Sequence, residues 1–294
     1  MEVMTVLVII AVGVAVGLLS GLIGIGGGVL IVPFLYFFYA RPDLFGVVVS
    51  PDAQVVLAHG TSLMVIVPTS IRGAWTYHRA RLVEWRAVWP IGVVSIVAAF
   101  LSVRLAVSLP PETLRTGFGA LLIFSGVRLI LPRRERPGTV VSPDPEFGLA
   151  RTILTGVLVG LMSALLGVGG GTIAIPLLIY LVRLEMRKVA ATSMGIIAIT
   201  ATAGTLGYIV SGLGAPGLPP SSLGYVHVSA GLAMFTGALA SVQWGANLNQ
   251  KLRPRTLNLV FGVFFVVVGL RLTGDNLLAL ARRAGMALGL TFLS

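Results

Sequence analysis

The chain reads as an all-α membrane protein built from two inverted five-segment repeats. Three observations predict this. Of 294 residues, 56% are hydrophobic and 11% charged, and mean hydropathy is +0.98, against about 25% charged residues in soluble domains. One phrase is written twice: GLLSGLIGIGGGVLIVPFL at 17–35 and GLMSALLGVGGGTIAIPLL at 160–178, so that Gly24 and Gly167 stand 143 residues apart. And the loop charges reverse between the two copies.

The repeat sets the element order. Leu109, Pro111, Thr113, Gly119, Gly126 and Arg128 recur as Leu252, Pro254, Thr256, Gly262, Gly269 and Arg271, again 143 apart. Between these blocks the offset is 131: Thr61, Ser62, Thr69, Gly73 and Tyr77 match Thr192, Ser193, Thr200, Gly204 and Tyr208. Apolar runs give segments at 4–23, 29–40, 55–78, 87–108 and 112–131, then 151–166, 172–182, 188–210, 224–248 and 255–272. The domains are a first repeat (1–131), a polar, proline-rich linker (132–150), a second repeat (151–273) and a tail segment (274–294) carrying Arg282 and Arg283. No basic residue precedes the first apolar run, so it reads as a structural helix rather than a signal peptide.

Loop 79–86 holds Arg79, Arg81 and Arg86 against Glu84, while its counterpart 211–224 is uncharged. Loop 183–188 holds Arg183, Arg187 and Lys188 against Glu185; its counterpart 41–54 has Arg41 against Asp43 and Asp52. Under the positive-inside rule, matched loops lie on opposite sides of the membrane. The linker is then cytoplasmic and both termini are outside. The same rule accounts for most of the net charge of +11.

The second segment of each half is about 18 Å long, short of the roughly 30 Å hydrocarbon core. Segments one and two therefore read as a hairpin whose Gly-x-Gly-Gly-Gly tip lies inside the protein. Non-helical backbone at that depth is tolerated only against protein or a water-filled cavity. The helices that begin at Val29 and Thr172 aim unpaired N–H groups at the tips, which is the arrangement of an anion site. Gly24, Gly26, Gly27, Gly28, Gly167, Gly169, Gly170, Gly171 and Thr172 are thus candidate binding residues; the alternative is close helix packing through small residues.

Thr61-Ser62 and Thr192-Ser193 open the third segment of each half, either capping it or lining the cavity as donors. Ser20 and Ser163 either back-bond to their helix or face the anion. Arg72 either contacts substrate or snorkels toward the basic loop. His59 is either pH-sensitive or an ordinary interfacial histidine. All ten acidic residues fall in loops or ends, so no span carries the carboxylate that cation sites and proton relays normally use. With no cysteine and no ligand cluster, neither a metal nor a cofactor is expected. Gly24-Ile-Gly-Gly-Gly-Val is not the dinucleotide fingerprint, and no polar catalytic cluster marks an enzyme.

The doubled Gly-x-Gly-Gly-Gly followed by Pro33 or Pro176, with a Thr-Ser pair downstream, resembles the TauE/SafE family of sulfite exporters and toluene-sulfonate permeases over nearly the whole chain. The resemblance implies transport of a sulfur oxyanion or organosulfonate such as sulfite, thiosulfate or sulfoacetate, across a prokaryotic inner membrane. The expected partners are a small anion and the lipid bilayer, with no nucleic acid; oligomeric state is not legible. The expected function is a secondary transporter working by alternating access. A passive anion channel is the runner-up, and a non-transporting membrane subunit the reading from another class.

Overall fold

Apolar helices satisfy their own backbone hydrogen bonds, which lets a chain bury polar backbone in lipid as a helical bundle. The computed structural model describes residues 3–24, 26–131, 148–249, 259 and 262–274. The helices are α1 (Val3–Ile23), α2 (Gly28–Ala40), α3 (Pro42–Phe45), α4 (Pro51–Arg79), α5 (Trp85–Ser108), α6 (Pro111–Ile130), α7 (Leu149–Leu166), α8 (Gly171–Tyr180), α9 (Met186–Ser211), α10 (Val228–Asn249) and α11 (Gly262–Gly274). Among the described residues no strand forms; one isolated bridge joins Ser222 and His227. Five helices (α1, α4, α5, α7 and α9) are long and apolar enough to cross a membrane.

The helices group into two compact units, one of α1–α5 with α7–α10, the other of α6 with α11. The sequence-predicted linker 132–150 falls outside the described residues up to 147, and the tail 274–294 beyond Gly274.

In the larger unit the first helix of each half packs on the other half. α1 lies on α10 and α7 on α5, while α4 and α9 pack together. Glycines make the α1–α10 contact. A Cβ on Gly13, Gly17 or Gly21 would fall on the carbonyl oxygens of Met234, Ala238 and Val242 in turn. The shared order along both chains makes α1 and α10 parallel. Gly156 against Ile91 and Gly160 against Ser95 make α7 and α5 parallel in the same way. Without a hydrophobic drive between helices in lipid, such backbone proximity carries the packing. In the smaller unit Gly119 meets Gly269 and Gly126 meets Gly262, so α6 and α11 cross antiparallel.

Two expected helix starts are corrected. α4 begins at Pro51 rather than 55, because Ser50-Pro51-Asp52 supplies an extended N-cap residue, a proline in the first turn and an early acid. α9 begins at Met186, within two residues of its expected start at 188. Thr61 and Thr192 thus lie inside α4 and α9 and do not cap them. α10 begins at Val228 rather than 224, because Gly224, at φ +55°, turns the chain back on itself before His227.

Candidate functional site

Each glycine of the doubled phrase has its own reason. Gly24 and Gly167 end α1 and α7 in the left-handed region, at φ +75° and +67°. Each N–H returns to a serine carbonyl, Gly24 to Ser20 at 2.9 Å and Gly167 to Ser163. This is the usual glycine helix stop. Gly26 and Gly27 (φ +82° and +81°) and Gly169 and Gly170 (φ +75° and +82°) continue left-handed, where any L side chain costs about 1–2 kcal/mol. Gly28 has no positive φ, yet a Cβ there would come within 2.5 Å of Val168 Cα and 2.8 Å of Gly167 O. The two tips therefore touch.

α2 has 13 residues and α8 has 10, about 20 and 15 Å. Laid end to end they would span about one hydrocarbon thickness. The tips are enclosed: Gly24, Gly26–Gly28 and Gly167–Gly171 are all buried. Below both tips lie Ile66 and Ile197, wholly buried. A Cβ on Gly26 would reach Ile197 at 3.2 Å and Ile66 at 3.4 Å; one on Gly169 would reach them at 3.1 and 2.9 Å. These isoleucines were not singled out from sequence, although their 131-residue spacing marked them as a matched pair.

The tips are donor-rich. The first intrahelical bonds of α2 run from Leu30 and Ile31 to Gly27 O (3.0 and 3.2 Å); those of α8 run from Ile173 and Ala174 to Gly170 O (3.1 and 2.7 Å). The N–H groups of Gly28, Val29, Gly171 and Thr172 precede them and are the orphan donors of a helix N-terminus. Neither helix has a side-chain cap. Around the tips, buried hydroxyls of Ser20, Ser163, Thr172 and Ser193 make no hydrogen bond within the protein. Ser20 Cβ and Ser163 Cβ would lie 3.3 and 3.2 Å from a Cβ on Gly27 and Gly170. A buried unpaired hydroxyl costs about 1–3 kcal/mol, and four beside two helix starts form a set of donors without acceptors. Among the described residues no Asp, Glu, Lys or Arg is buried.

The remaining candidates divide. Ser62 Oγ donates to Gly167 O at 2.7 Å and so braces the second tip; its counterpart Ser193 braces nothing. Thr61 Oγ1 accepts His227 N–H at 2.9 Å and Thr192 Oγ1 accepts Glu84 N–H at 3.1 Å. These threonines thus hold the entrances to α10 and α5. Arg72 is exposed and donates to Gln243 at 2.8 Å, ten residues and about 15 Å beyond Ser62 along α4. Two tyrosines that sequence matching paired without assigning a role also act here. Tyr77 Oη donates to Gly21 O and Tyr208 Oη to Ala164 O, both at 2.8 Å, tying each tip's incoming helix to the central pair.

On one side only, the site adjoins a buried polar cluster. His59, in contact with the Gly167 turn, meets Tyr36 Oη through Nε2 at 2.5 Å. His227 Nδ1 lies 3.3 Å from Tyr39 Oη, and its Nε2 lies 3.1 Å from Ser221 Oγ. Burial lowers the His227 imidazole to about 4, so it is neutral at neutral pH.

Residues 9–272 match the model of the family described as sulfite exporter TauE/SafE. A "probable membrane transporter protein" of Methanocaldococcus jannaschii is 32% identical over 263 residues, covering 89% of this chain and 93% of the relative. A protein of the same name from Haemophilus influenzae is 29% identical, covering 91% and 97%. Another, from Bacillus subtilis, is 24% identical, covering 93% and 99%. No solved structure matches. A chain with paired glycine tips, several apolar spans and this match over nearly its whole length is a multi-pass membrane transporter, and it belongs to the sulfite exporter TauE/SafE family.

Proposed function

We propose that the chain moves a small sulfur-containing anion (sulfite, thiosulfate or an organosulfonate) across the inner membrane by alternating access of two inverted halves. One observation carries the reading: two left-handed glycine turns, each opening an uncapped helix, meet in the buried centre among hydroxyls that have no partner. The N–H groups after Gly26–Gly28 and Gly169–Gly171 face the anion. Ser193 and Thr172, with Ser20 and Ser163, add hydroxyl donors. Ser62 and the threonines Thr61 and Thr192 hold the surrounding backbone. Such a site stabilises negative charge through fixed dipoles and needs no buried cation.

Two contacts support inversion. Lys188 Nζ is 3.2 Å from Glu84 Oε2, so the chain after α8 lies beside the chain after α4. Ser50 N–H donates to Gly217 O at 3.0 Å, so the chain after α2–α3 lies beside the chain after α9. Equivalent connections thereby belong to opposite ends, as the loop charges predict. Ile66 and Ile197 close the site between the tips, and rocking of α4 against α9 would open it to one side at a time.

The test is flux of radiolabelled sulfite, thiosulfate and sulfoacetate in proteoliposomes, comparing wild type with Gly27→Leu and Gly170→Leu. Saturable flux lost in both variants is the expected result; flux unchanged in both defeats the site. A reporter fused after residue 140 should be cytoplasmic.

A further inference from the structure

The two sides of the glycine site share one plan but differ in their titratable side chains. Tyr36, Tyr39 and His59 occupy positions that the second half fills with Ile179, Val182 and Ala190. The second half thus makes its tip without imidazole or phenol at these positions. Yet His59 is wholly buried and held against the cradle: a Cβ on Gly167 would lie 2.6 Å from His59 Cα and 3.1 Å from its Cδ2. Tyr36 Oη meets its Nε2 at 2.5 Å. A phenol both donates and accepts, so this contact serves the neutral and the charged imidazole alike.

A polar route leads from the surface to the same side. Ser221 is exposed, and its hydroxyl lies 3.1 Å from His227 Nε2. Across the ring, His227 Nδ1 lies 3.3 Å from Tyr39 Oη, which lies 3.4 Å from Thr61 Oγ1. Thr61 is the neighbour of Ser62, which bonds the Gly167 carbonyl. A neutral imidazole takes a proton at one nitrogen and releases one from the other.

Among the described residues no Asp, Glu, Lys or Arg is buried beside His59. α2 presents Tyr36 and Tyr39, and the α9–α10 connection presents Tyr225 and His227. α9 adds Tyr208, whose hydroxyl is committed to Ala164 O. The turn after α7 offers only backbone, and α1 and α10 have no ionisable side chain. On α4 itself Asp52, Arg72 and Arg79 are exposed, and Arg151 lies on the first turn of α7, remote from its C-terminal tip.

From this arrangement we infer that His59 is a proton-binding site that couples anion movement to a proton. The inference rests on the anion-transport reading above. The neutral imidazole takes one proton as the anion settles on the glycine tips. The imidazolium offsets one negative charge while the site is closed. Proton and anion then leave together, and the ring returns neutral. No oxidant or further reactant is involved.

The test uses radiolabelled thiosulfate, which stays deprotonated across the working range, in proteoliposomes clamped at zero membrane potential. Accumulation and internal pH are read together. Wild type should accumulate thiosulfate about tenfold per unit of inward proton gradient and acidify the lumen. His59→Ala, the residue type the second half uses at Ala190, should lose both responses in whatever exchange remains. His59→Gln, which keeps the volume, should do the same. His78→Gln, at the exposed end of α4, should couple like wild type. Wild-type thiosulfate flux that ignores the proton gradient overturns the inference and leaves the transporter reading standing. So does a gradient response kept by both His59 variants. Absence of any wild-type flux of sulfite, thiosulfate or sulfoacetate overturns the transporter reading and the coupling with it.

Discussion

Gly28→Ala distinguishes a touching pair of tips from two independent turns. Gly28 opens α2 at an ordinary helical φ, so alanine meets no backbone strain there. If the second tip were elsewhere, the substitution would stabilise the helix by up to about 1 kcal/mol. In this structure the added methyl lies 2.5 Å from Val168 Cα and 2.8 Å from both Val168 C and Gly167 O. Unbonded carbons rest at about 3.5–4.0 Å, so the tips must part by about 1 Å. The obstacle is backbone, with no flexible side-chain end to swing aside. Overpacking of this kind costs about 1–3 kcal/mol, and the upper end applies. After the helix-propensity gain, about 2 kcal/mol remains. Carried by the closed site, that is roughly thirtyfold in anion affinity. Thermal unfolding in detergent and saturable thiosulfate flux in proteoliposomes read the two consequences. A raised melting temperature with unchanged flux would refute the contact between the tips and the single shared site built on it.

The matched serines should separate structure from ligand. Ser62→Ala removes the donor to the buried Gly167 carbonyl and should lower stability by about 1–3 kcal/mol, whereas Ser193→Ala should leave the melting temperature nearly unchanged and raise the apparent KM for thiosulfate. Tyr77→Phe and Tyr208→Phe should each cost about 1 kcal/mol, the usual net worth of one hydrogen bond, by the same unfolding measurement. Acid should weaken the fold through His227. Its imidazole binds a proton near pH 6.5 when unfolded and only near 4 when folded. Stability is therefore complete above about pH 6.5, falls as pH drops toward 4 and levels below that; a His227→Gln variant should show a flatter profile of melting temperature over this window.

Most helix bounds were legible because apolar runs in lipid are long and their breaks are glycine, proline or charge. α2 and α5 fall within two residues of their expected starts. The starts of α4 and α10 were not, for different reasons. At α4, the Ser50-Pro51-Asp52 start signal stands four residues before the expected start at 55. At α10, the determinant is tertiary: the 212–227 segment folds back so that Tyr225 N–H reaches Tyr208 O at 3.1 Å and Leu223 N–H reaches Val226 O at 2.8 Å. In the site, the glycine phrase announced a backbone need that the φ angles bear out. Sequence could not divide the hydroxyls into braces and free donors, since Ser62 and Ser193 are identical as letters and differ only in what faces them. Nor could it join His59 to Tyr36, or His227 to Tyr39, across 188 positions of chain.

The exchange of first helices has a consequence for synthesis. α1 leaves the ribosome with Gly13, Gly17 and Gly21 aligned, but the backbone they fit belongs to α10, which ends at Asn249. At roughly 5–20 residues per second, α1 waits about ten to forty seconds in the bilayer before its partner is made. During that interval the nascent first half is an unfinished surface, open to membrane chaperones and intramembrane proteases. A message truncated after residue 131 should yield a fragment that is cleared quickly, while the same fragment made alongside residues 132–294 should persist.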